Sequence, residues 1–365
     1  MEIIHIVLGK ANPDRLNGVN KVVYNMATEQ SKAGKNVQVW GITPNPVHDY
    51  PERNFKTVLF QAERFSFSIN QALKKAILEN SKAVFHVHGG WIPVFSSLAR
   101  YFAKHQMKYV LTPHGAYNEV AMQRSSFRKK IYFNLFEKVL LRHAHRVHSI
   151  GRSEVDGLKK IYPKATSFLL PYGFESDISL GYSVKNTDFT IGFVGRLDTY
   201  TKGLDLLMEA FTIFQKTYPN SKLWIVGDGE GKGYLENFIS EKQLKNVVLW
   251  GKKFGNEKDE LISKMHIFAH PSRNEGLPTA VLEAASLGTP TIVTYATNVA
   301  EYVSAYKAGI AIENENVDAL VQGIKTLEKA YITDEAKSYL DGAKRMLEEV
   351  FSWSVLVKKY DELYK

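Results

Sequence analysis

Residues 270 to 283 read His-Pro-Ser-Arg-Asn-Glu-Gly-Leu-Pro-Thr-Ala-Val-Leu-Glu, and this stretch predicts a buried strand that passes through a short loop into a helix. Apolar residues up to His270 are typical of a strand end, Pro278 suits the first helical position, and the alanines and leucine after it favour helix. Gly276 and Leu277 offer no capping side chain. The free N–H groups and positive dipole end of this helix therefore predict an anion site, most simply for a phosphate.

Two carboxylates flank this predicted phosphate site. Glu275 lies in the loop, and Glu283 lies about one and a half turns into the helix. A carboxylate beside a phosphate is unfavourable because like charges repel. A carboxylate that lies at such a site therefore usually binds hydroxyl groups of the ligand. The pair therefore indicates a ligand that carries hydroxyls next to phosphate, as a sugar or a ribose does.

Length and composition restrict the class of protein. The 365 residues exceed one compact core and predict two domains. The sequence has no run of about 18 apolar residues to span a bilayer, and its start resembles a strand rather than a signal peptide, so we expect a cytosolic protein. The absence of cysteine excludes disulfides, thiolate nucleophiles and cysteine metal sites.

The net charge of +9 is unevenly distributed. Residues 1–148 carry 21 Lys and Arg against 9 Asp and Glu, a net charge of +12, whereas residues 149–365 carry 26 against 29, a net charge of −3. This asymmetry indicates that the first half meets an anionic partner.

Short apolar runs alternate with helical patterns throughout the chain, which predicts an α/β fold with parallel, doubly wound sheets. We place the first Rossmann-like domain at residues 1–173 and the second at 174–350, joined near 171–188, and expect the helical tail 351–365 to pack back onto the first. The predicted strands are 2–8, 37–42, 83–87, 109–112, 146–150 and 167–170 in the first half and 189–194, 222–226, 247–250, 266–270 and 290–294 in the second.

Gly195 and Arg196, followed by Lys202 and a glycine, open the first strand-to-helix connection of the second domain. Ligands in such folds bind at the carboxyl ends of strands. Gly195 lets backbone approach a ligand, while Arg196 and Lys202 supply two positive charges for a diphosphate. The alternative interpretation is that Arg196 and Lys202 are ordinary solvent-exposed cations at a strand end.

The first half contributes weaker candidates. Gly18, after Asn17 at the start of a helix, suits close backbone approach to a phosphate but also an ordinary turn. His114 follows a strand, where a histidine can contact a sugar hydroxyl or the reaction centre. This position in the sequence is equally compatible with a structural role. His86 and His88 have neither a carboxylate nor a third histidine to accompany them, so we expect no metal site.

Residues 123–148 interleave basic residues with aromatic and aliphatic ones. A helix with one basic and one apolar side suits an anionic membrane surface. A helix that packs on the core and exposes a basic face explains the pattern equally well.

Together these residues resemble the retaining glycosyltransferases of family 4, over nearly the whole chain. The carboxylates Glu275 and Glu283, eight positions apart, are the most specific part of the resemblance, followed by Gly195-Arg196 with Lys202, then His114 and Gly18. The resemblance implies the GT-B fold, with two facing Rossmann-like domains and a cleft between them.

The resemblance also implies roles for these residues. Arg196 and Lys202 neutralise the diphosphate of a UDP- or GDP-sugar, with backbone donors from Gly276 and Leu277. Glu283 binds the ribose, Glu275 orients the donor sugar, and His114 lies near the transferred sugar. The reaction is expected to need no metal and no cofactor. Two positions depart from the family pattern, because Tyr172 stands where many relatives have Asn and Asn17 stands where they have Gly.

The leading hypothesis is a metal-independent glycosyltransferase that moves a sugar, with retention, to a glycan or lipid-linked acceptor during bacterial surface polysaccharide synthesis. We expect it in the cytoplasm or peripherally on the inner face of the cell membrane. A nucleotide-sugar epimerase of the same fold is the alternative enzyme. A basic nucleic-acid-binding protein is the alternative from another class, although the chain has no nucleic-acid motif and we expect no nucleic-acid partner.

Overall fold

The computed structural model describes residues 1–12, 18–117, 126–175 and 185–365. The chain divides into a first unit, Met1–Gly173 with Trp353–Lys365, and a second unit, Phe174–Ser352. The tail belongs to the first unit from Trp353 onward. Phe351 is instead fully buried in the core of the second unit, so that unit extends past the predicted boundary at residue 350.

Parallel strands form one sheet in each unit. In the first unit they are β1 (Glu2–Leu8), β2 (Asn36–Thr43), β3 (Lys56–Gln61), β4 (Val84–His88), β5 (Tyr109–Thr112), β6 (Arg146–Ser149) and β7 (Ser167–Leu169). Their spatial order is β3-β2-β1-β4-β5-β6-β7. The order reverses between β1 and β4, so the loops after these two strands are neighbours at the carboxyl edge.

The second sheet repeats this plan. Its strands are β8 (Thr190–Val194), β9 (Lys222–Val226), β10 (Val247–Gly251), β11 (Ile267–His270), β12 (Thr291–Thr294) and β13 (Gly309–Ile312). They lie in the order β10-β9-β8-β11-β12-β13, and Ile191 of β8 is in register with Ile267 of β11. Here the order reverses between β8 and β11.

Helices flank the strands of both sheets. In the first unit they are α1 (Gly18–Lys32), α2 (Gln71–Glu79), α3 (Pro93–Lys104), α4 (Ser126–Tyr132), α5 (Lys138–His143) and α6 (Arg152–Ile161), with a π-helical turn (Phe133–Glu137) between α4 and α5. In the second they are α7 (Leu204–Thr217), α8 (Lys232–Glu241), α9 (Gly255–Lys264), α10 (Thr279–Ser286), α11 (Ala300–Tyr306), α12 (Val317–Ile332) and α13 (Ala336–Met346). A second π-helical turn (Leu347–Phe351) precedes the final helix, α14 (Trp353–Tyr364), which belongs to the first unit.

Helix α3 shows how these helices are stabilised. Pro93 occupies its first turn, where proline costs no hydrogen bond. Phe95, Leu98 and Phe102 follow at helical spacing and are fully buried in the core of the first unit. Each such side chain contributes about 1.5–3 kcal/mol through burial. None of the helices in the described ranges has both the length and the hydropathy that a membrane crossing requires.

All the strands predicted from the sequence are confirmed, but two strands were not predicted. Both β3 and β13 lie at sheet edges, where one side of the strand has no neighbour and the buried apolar run is short. The helix predicted to begin at Pro278 begins at Thr279 instead, because Pro278 has the extended conformation of an N-cap.

Candidate functional site

The most strongly predicted site residues lie where the strand order of the second sheet reverses. The loop after β8 contains residues 195–203 and the loop after β11 contains residues 271–278. Since β8 and β11 are hydrogen-bonded neighbours, the two loops lie side by side at the carboxyl edge of the sheet. Ligands of doubly wound sheets bind at this position.

Glycines allow the loops at this edge to approach one another closely. Gly203 has a φ of +64°, and a Cβ atom there would overlap the carbonyl oxygen of Pro271 in the neighbouring loop. Gly227, after β9, has a φ of +146°, and a Cβ there would overlap the carbonyl oxygen of Gly195. These positions require glycine because side chains would separate the loops.

Polar contacts hold the loop after β11 in place. The guanidinium of Arg273 donates to both carboxylate oxygens of Asp205, in the first turn of α7, at 2.8 Å each. The Arg273 backbone N–H donates to the Thr201 carbonyl at 2.9 Å, and the Ser272 hydroxyl donates to the same oxygen at 2.6 Å. The two loops are therefore fixed to each other before any ligand binds.

Lys202 and Glu275 form an ion pair across these loops, and each side chain is 16% exposed. The buried ring of His270 adds a contact, with Nε2 at 3.2 Å from Glu275 Oε1. Burial alone raises the pKa of the Glu275 carboxyl, but His270 and Lys202 outweigh burial and bring the pKa to about 2. Glu275 is therefore an ionised hydrogen-bond acceptor rather than a proton donor. Among the described residues, both hydrogen bonds to the Glu275 carboxylate, from Lys202 and His270, end on Oε1 and leave Oε2 for a ligand.

Helix α10 begins beside Glu275 without a side-chain cap. Pro278 at the N-cap makes no side-chain hydrogen bond, and within the described residues the N–H groups of Gly276 and Leu277 donate to no protein group. The Asn298 amide fixes the loop by donating to the carbonyls of Glu275 and Gly276 at 3.1 and 2.6 Å. The loop thus has free N–H donors on a fixed backbone, as the predicted anion site requires.

The remaining candidates of the second unit are placed differently. Arg196 is 70% exposed, and in the part of the chain that the structure describes its charged partner is Asp198, at 3.2 Å. Glu283, in α10, pairs with Lys258 of α9 at 2.8 Å. The sequence reasoning missed Lys258, because it lies on a helix rich in charged residues and no spacing links it to Glu283.

In the first unit, Gly18 is the first residue of α1, whereas Asn17 lies outside the described residues. His114 follows β5 with a φ of +55°, a strained conformation for a residue other than glycine. Its ring nitrogens are both engaged, Nε2 with His88 at 3.0 Å and Nδ1 with the Tyr172 hydroxyl. The predicted contact of His114 with a sugar would therefore require one of these partners to move.

The prediction that no third histidine accompanies His86 and His88 is wrong. The parallel register of β1 and β4 places His5 beside His86, and nitrogen atoms of His5, His86 and His88 lie within 4.8 Å of one another. The three rings are buried. Sequence spacing could not reveal this cluster, because it depends on β1 and β4 being neighbours in the sheet. Each ring nitrogen of the cluster already has a hydrogen-bond partner.

Two buried carboxylates were not predicted from the sequence. Glu137 accepts from the Trp91 N–H at 2.7 Å and from the Tyr117 hydroxyl, and burial raises its pKa to about 6. Glu154 accepts from the N–H groups of Ile150, at 2.9 Å, and of Gly115, and burial raises its pKa to about 7. These carboxylates fix the loops that follow β4, β5 and β6.

The basic segment predicted at 123–148 is helical without a break from Ser126 to His143, but several of its apolar side chains are exposed rather than packed on the core. It comprises α4, the π-helical turn, α5 and β6, and residues 123–125 lie outside the described ranges. Phe133 and Leu140 are buried in the core. Three apolar side chains instead face outward, with exposed fractions of 75% (Phe127), 48% (Ile131) and 56% (Leu135).

Two family models match the chain, one in each half. "Glycosyltransferase Family 4" matches residues 16–174 and "Glycosyl transferases group 1" matches residues 180–345. Together they span nearly all of both units. The two models thus match the two Rossmann-like sheets separately, in agreement with the way the chain divides.

Individual proteins give the same result. An uncharacterized glycosyltransferase of Haemophilus influenzae is 25% identical over 347 residues, which is 91% of this chain and 94% of the relative. The putative colanic acid biosynthesis glycosyltransferase WcaL of Escherichia coli is 28% identical over 184 residues, 48% of this chain and 45% of WcaL. The solved structure of Anabaena HepE with UDP and glucose matches with a TM-score of 0.73 at 15% identity, covering 100% of this chain and 99% of HepE. The chain therefore belongs to the group 1 glycosyltransferases and has the GT-B fold.

Proposed function

We propose that this glycosyltransferase transfers a sugar from a UDP- or GDP-sugar to a glycan or lipid-linked acceptor, with retention and without a metal ion, in the assembly of a bacterial surface polysaccharide. The ion pair of Lys202 and Glu275 beside the uncapped start of α10 carries the proposal. It combines a cation, an ionised carboxylate and free backbone donors. A diphosphate attached to a sugar matches these three elements.

The proposed chemistry centres on the leaving diphosphate. Negative charge develops on its oxygen as the bond to the sugar anomeric carbon breaks, and stabilising that charge lowers the barrier. Lys202 and the N–H groups of Gly276 and Leu277 supply fixed positive potential there. Arg196, which is mostly exposed, is free to turn towards the distal part of the diphosphate. These groups perform the task that a metal ion performs in other phosphate sites.

The two carboxylates have separate proposed roles. Glu275 is held ionised, and its Oε2 is available to accept from hydroxyls of the donor sugar. Glu283, fixed by Lys258, accepts from the ribose hydroxyls. Neither carboxylate is used as a general acid.

Retention is proposed through front-face attack. The acceptor oxygen forms its bond to the anomeric carbon on the side from which the diphosphate leaves, and the acceptor proton passes to a phosphate oxygen. A double displacement would need a carboxylate nucleophile. The buried carboxylates of the first unit, Glu137 and Glu154, already accept from backbone N–H groups and so are poor candidates.

Names of similar proteins support the donor and the pathway. The HepE structures contain UDP, with glucose or as UDP-glucose, and the name of WcaL refers to colanic acid biosynthesis. These names describe those proteins, and they are the reason why UDP-sugars and surface polysaccharides come first in the proposal.

An outward-facing patch on the first unit suits an anionic membrane surface, where a lipid-linked acceptor would lie. Phe127, Ile131 and Leu135 recur every four residues along α4 and the π-helical turn, and all three are exposed. Exposed cations intervene, among them Arg128 and Lys130. Apolar side chains enter the acyl boundary while the cations attract anionic headgroups.

The direct test is a screen of UDP-, GDP- and dTDP-sugars for thermal stabilisation and slow hydrolysis, with EDTA present. The proposal predicts that one nucleotide series raises the melting temperature and that EDTA has no effect. No shift with any nucleotide sugar would contradict it. Release of an epimerised sugar without acceptor would instead identify an epimerase.

A further inference from the structure

A continuous chain of hydrogen bonds crosses the interior of the first unit, and its first half begins at a backbone carbonyl. Leu170 O lies 2.7 Å from His148 Nε2, and His148 Nδ1 lies 2.8 Å from Thr112 Oγ1. Thr112 Oγ1 lies 2.6 Å from His86 Nε2, and His86 Nδ1 lies 3.0 Å from the Tyr364 hydroxyl. This half thus connects the segment after β7 to the last turn of α14.

The second half continues from Tyr364 to the half-buried loop after β5. The Tyr364 oxygen lies 3.0 Å from Gln30 Nε2, and Gln30 Oε1 lies 2.7 Å from His5 Nε2. His5 Nδ1 lies 2.9 Å from His88 Nε2, and His88 Nδ1 lies 3.0 Å from His114 Nε2. The last hydrogen bond of this series joins His114 Nδ1 to the hydroxyl of Tyr172.

Elementary donor and acceptor rules fix the direction of the first half. Burial lowers the pKa of all five histidines, so each ring is neutral and has one N–H. A carbonyl can only accept, so His148 donates through Nε2 and accepts at Nδ1 from the Thr112 hydroxyl. The Thr112 oxygen then accepts from His86 Nε2–H, and His86 Nδ1 accepts from the Tyr364 hydroxyl.

Tyr364 also fixes the direction of the hydrogen bonds in the second half. Its hydroxyl proton is committed to His86, so its oxygen must accept from the Gln30 amide N–H. The Gln30 carbonyl oxygen then faces His5 and accepts from Nε2–H, and His88 and His114 follow with the same tautomer. Without the Tyr364 hydroxyl, the Gln30 amide could flip, and the three rings of His5, His88 and His114 could all reverse with every hydrogen bond retained.

We infer that Tyr364 is a positioning residue that selects the Nε2–H tautomer of His114, four hydrogen bonds away. In this tautomer the Tyr172 hydroxyl donates to His114 and offers only its oxygen lone pairs to other groups. In the reversed tautomer the Tyr172 proton would be free to donate. The effect on a sugar hydroxyl near this loop rests on the proposed function, whereas the tautomer itself does not.

The test is nitrogen NMR of the full chain labelled at histidine, which reports the tautomer of each ring and needs no substrate. In the wild type, His5, His86, His88, His114 and His148 are expected to carry the proton on Nε2. In Tyr364→Phe, His5, His88 and His114 are expected to exchange between their two tautomers. The Nδ1 and Nε2 shifts of each of these rings should therefore move towards each other. His86 and His148 should keep the proton on Nε2, because the Leu170 carbonyl still fixes their tautomers through Thr112.

Tyr360→Phe is the matched control on the same helix. Tyr360 is as deeply buried, but its hydroxyl has no hydrogen-bond partner among the described residues, so all five tautomers should stay unchanged. A protonated Nδ1 in any of the five wild-type rings would overturn the inference, as would an unaltered His114 in Tyr364→Phe. Histidine shifts that change on addition of EDTA would also overturn it, since they would reveal a metal ion bound by His5, His86 and His88.

Discussion

Lys202 and Glu275 form an ion pair between two loops that belong to neighbouring strands of the second sheet. The pair is mostly buried, and His270 contacts the same carboxylate oxygen as Lys202. Lys202 is therefore oriented towards the start of α10 before a ligand arrives. Pre-organised charge of this kind stabilises a developing anion without further rearrangement.

Replacing the glycine beside Lys202 should disrupt this arrangement. Gly203→Ala introduces a Cβ at a φ of +64° that overlaps the Pro271 carbonyl oxygen. We expect it to cost more than about 2 kcal/mol in free energy of unfolding, because strain and overlap add. Gly233→Ala is the control, since its Cβ meets no atom within 4 Å and it lies in α8, where alanine favours helix. Urea unfolding of both variants distinguishes them, and an equal, small change in both would contradict the geometry.

The buried carboxyl of Glu137 should make stability depend on pH. Burial raises its pKa from 4.5 to about 6, so the folded state holds this proton more tightly than the unfolded state. Its contribution is therefore most favourable below pH 4.5 and declines as the pH rises to about 6, by about 2 kcal/mol.

Glu137→Gln tests this dependence. Both hydrogen bonds of Glu137 end on Oε1, so glutamine keeps them and removes only the ionisation. We expect the variant to lose less free energy of unfolding between pH 4.5 and 7 than the wild type does. Glu236→Gln, on the exposed surface of α8, should follow the wild-type profile. Parallel profiles for all three proteins would show that Glu137 is already neutral or unperturbed.

The apolar patch on α4 and the π-helical turn predicts membrane binding. The triple variant Phe127→Ser, Ile131→Ser, Leu135→Ser should bind vesicles of phosphatidylcholine and phosphatidylglycerol at least about tenfold more weakly, since three apolar side chains no longer enter the bilayer. Phe254→Ser with Ile332→Ser removes exposed apolar residues of the second unit and should leave binding unchanged. Equal binding by all the variants in a sedimentation assay would exclude this patch as the membrane contact.

Glu283 is expected to recognise the ribose. In the wild type, a nucleoside diphosphate with an intact ribose should bind about tenfold more tightly than its 2′,3′-dideoxy analogue, because the carboxylate then lacks its hydroxyl donors. Glu283→Gln should abolish most of this preference. Calorimetric titration of both ligands into both proteins measures it. A preference that survives the substitution would assign the ribose to another residue.

Much of this architecture could be predicted from the sequence, because buried parallel strands read as continuous apolar runs. The stretch from His270 to Glu283 predicted both the strand end and the uncapped helix start. What the sequence could not predict depends on strand order: His5 reaches His86 only because β1 and β4 are neighbours. The pairing of Lys258 with Glu283 likewise depends on α9 and α10 packing together.

One calorimetric comparison tests donor binding by Lys202 and Glu275 directly. The nucleoside diphosphate and the nucleotide sugar selected by the screen are titrated into the wild type, Lys202→Ala, Glu275→Gln and the surface control Lys344→Ala. Loss of Lys202 should weaken both ligands by about 10- to 100-fold, since each has the diphosphate. Loss of Glu275 should remove only the additional affinity that the sugar provides. Equal effects of the two substitutions on the nucleoside diphosphate alone would show that Lys202 and Glu275 do not have these separate roles.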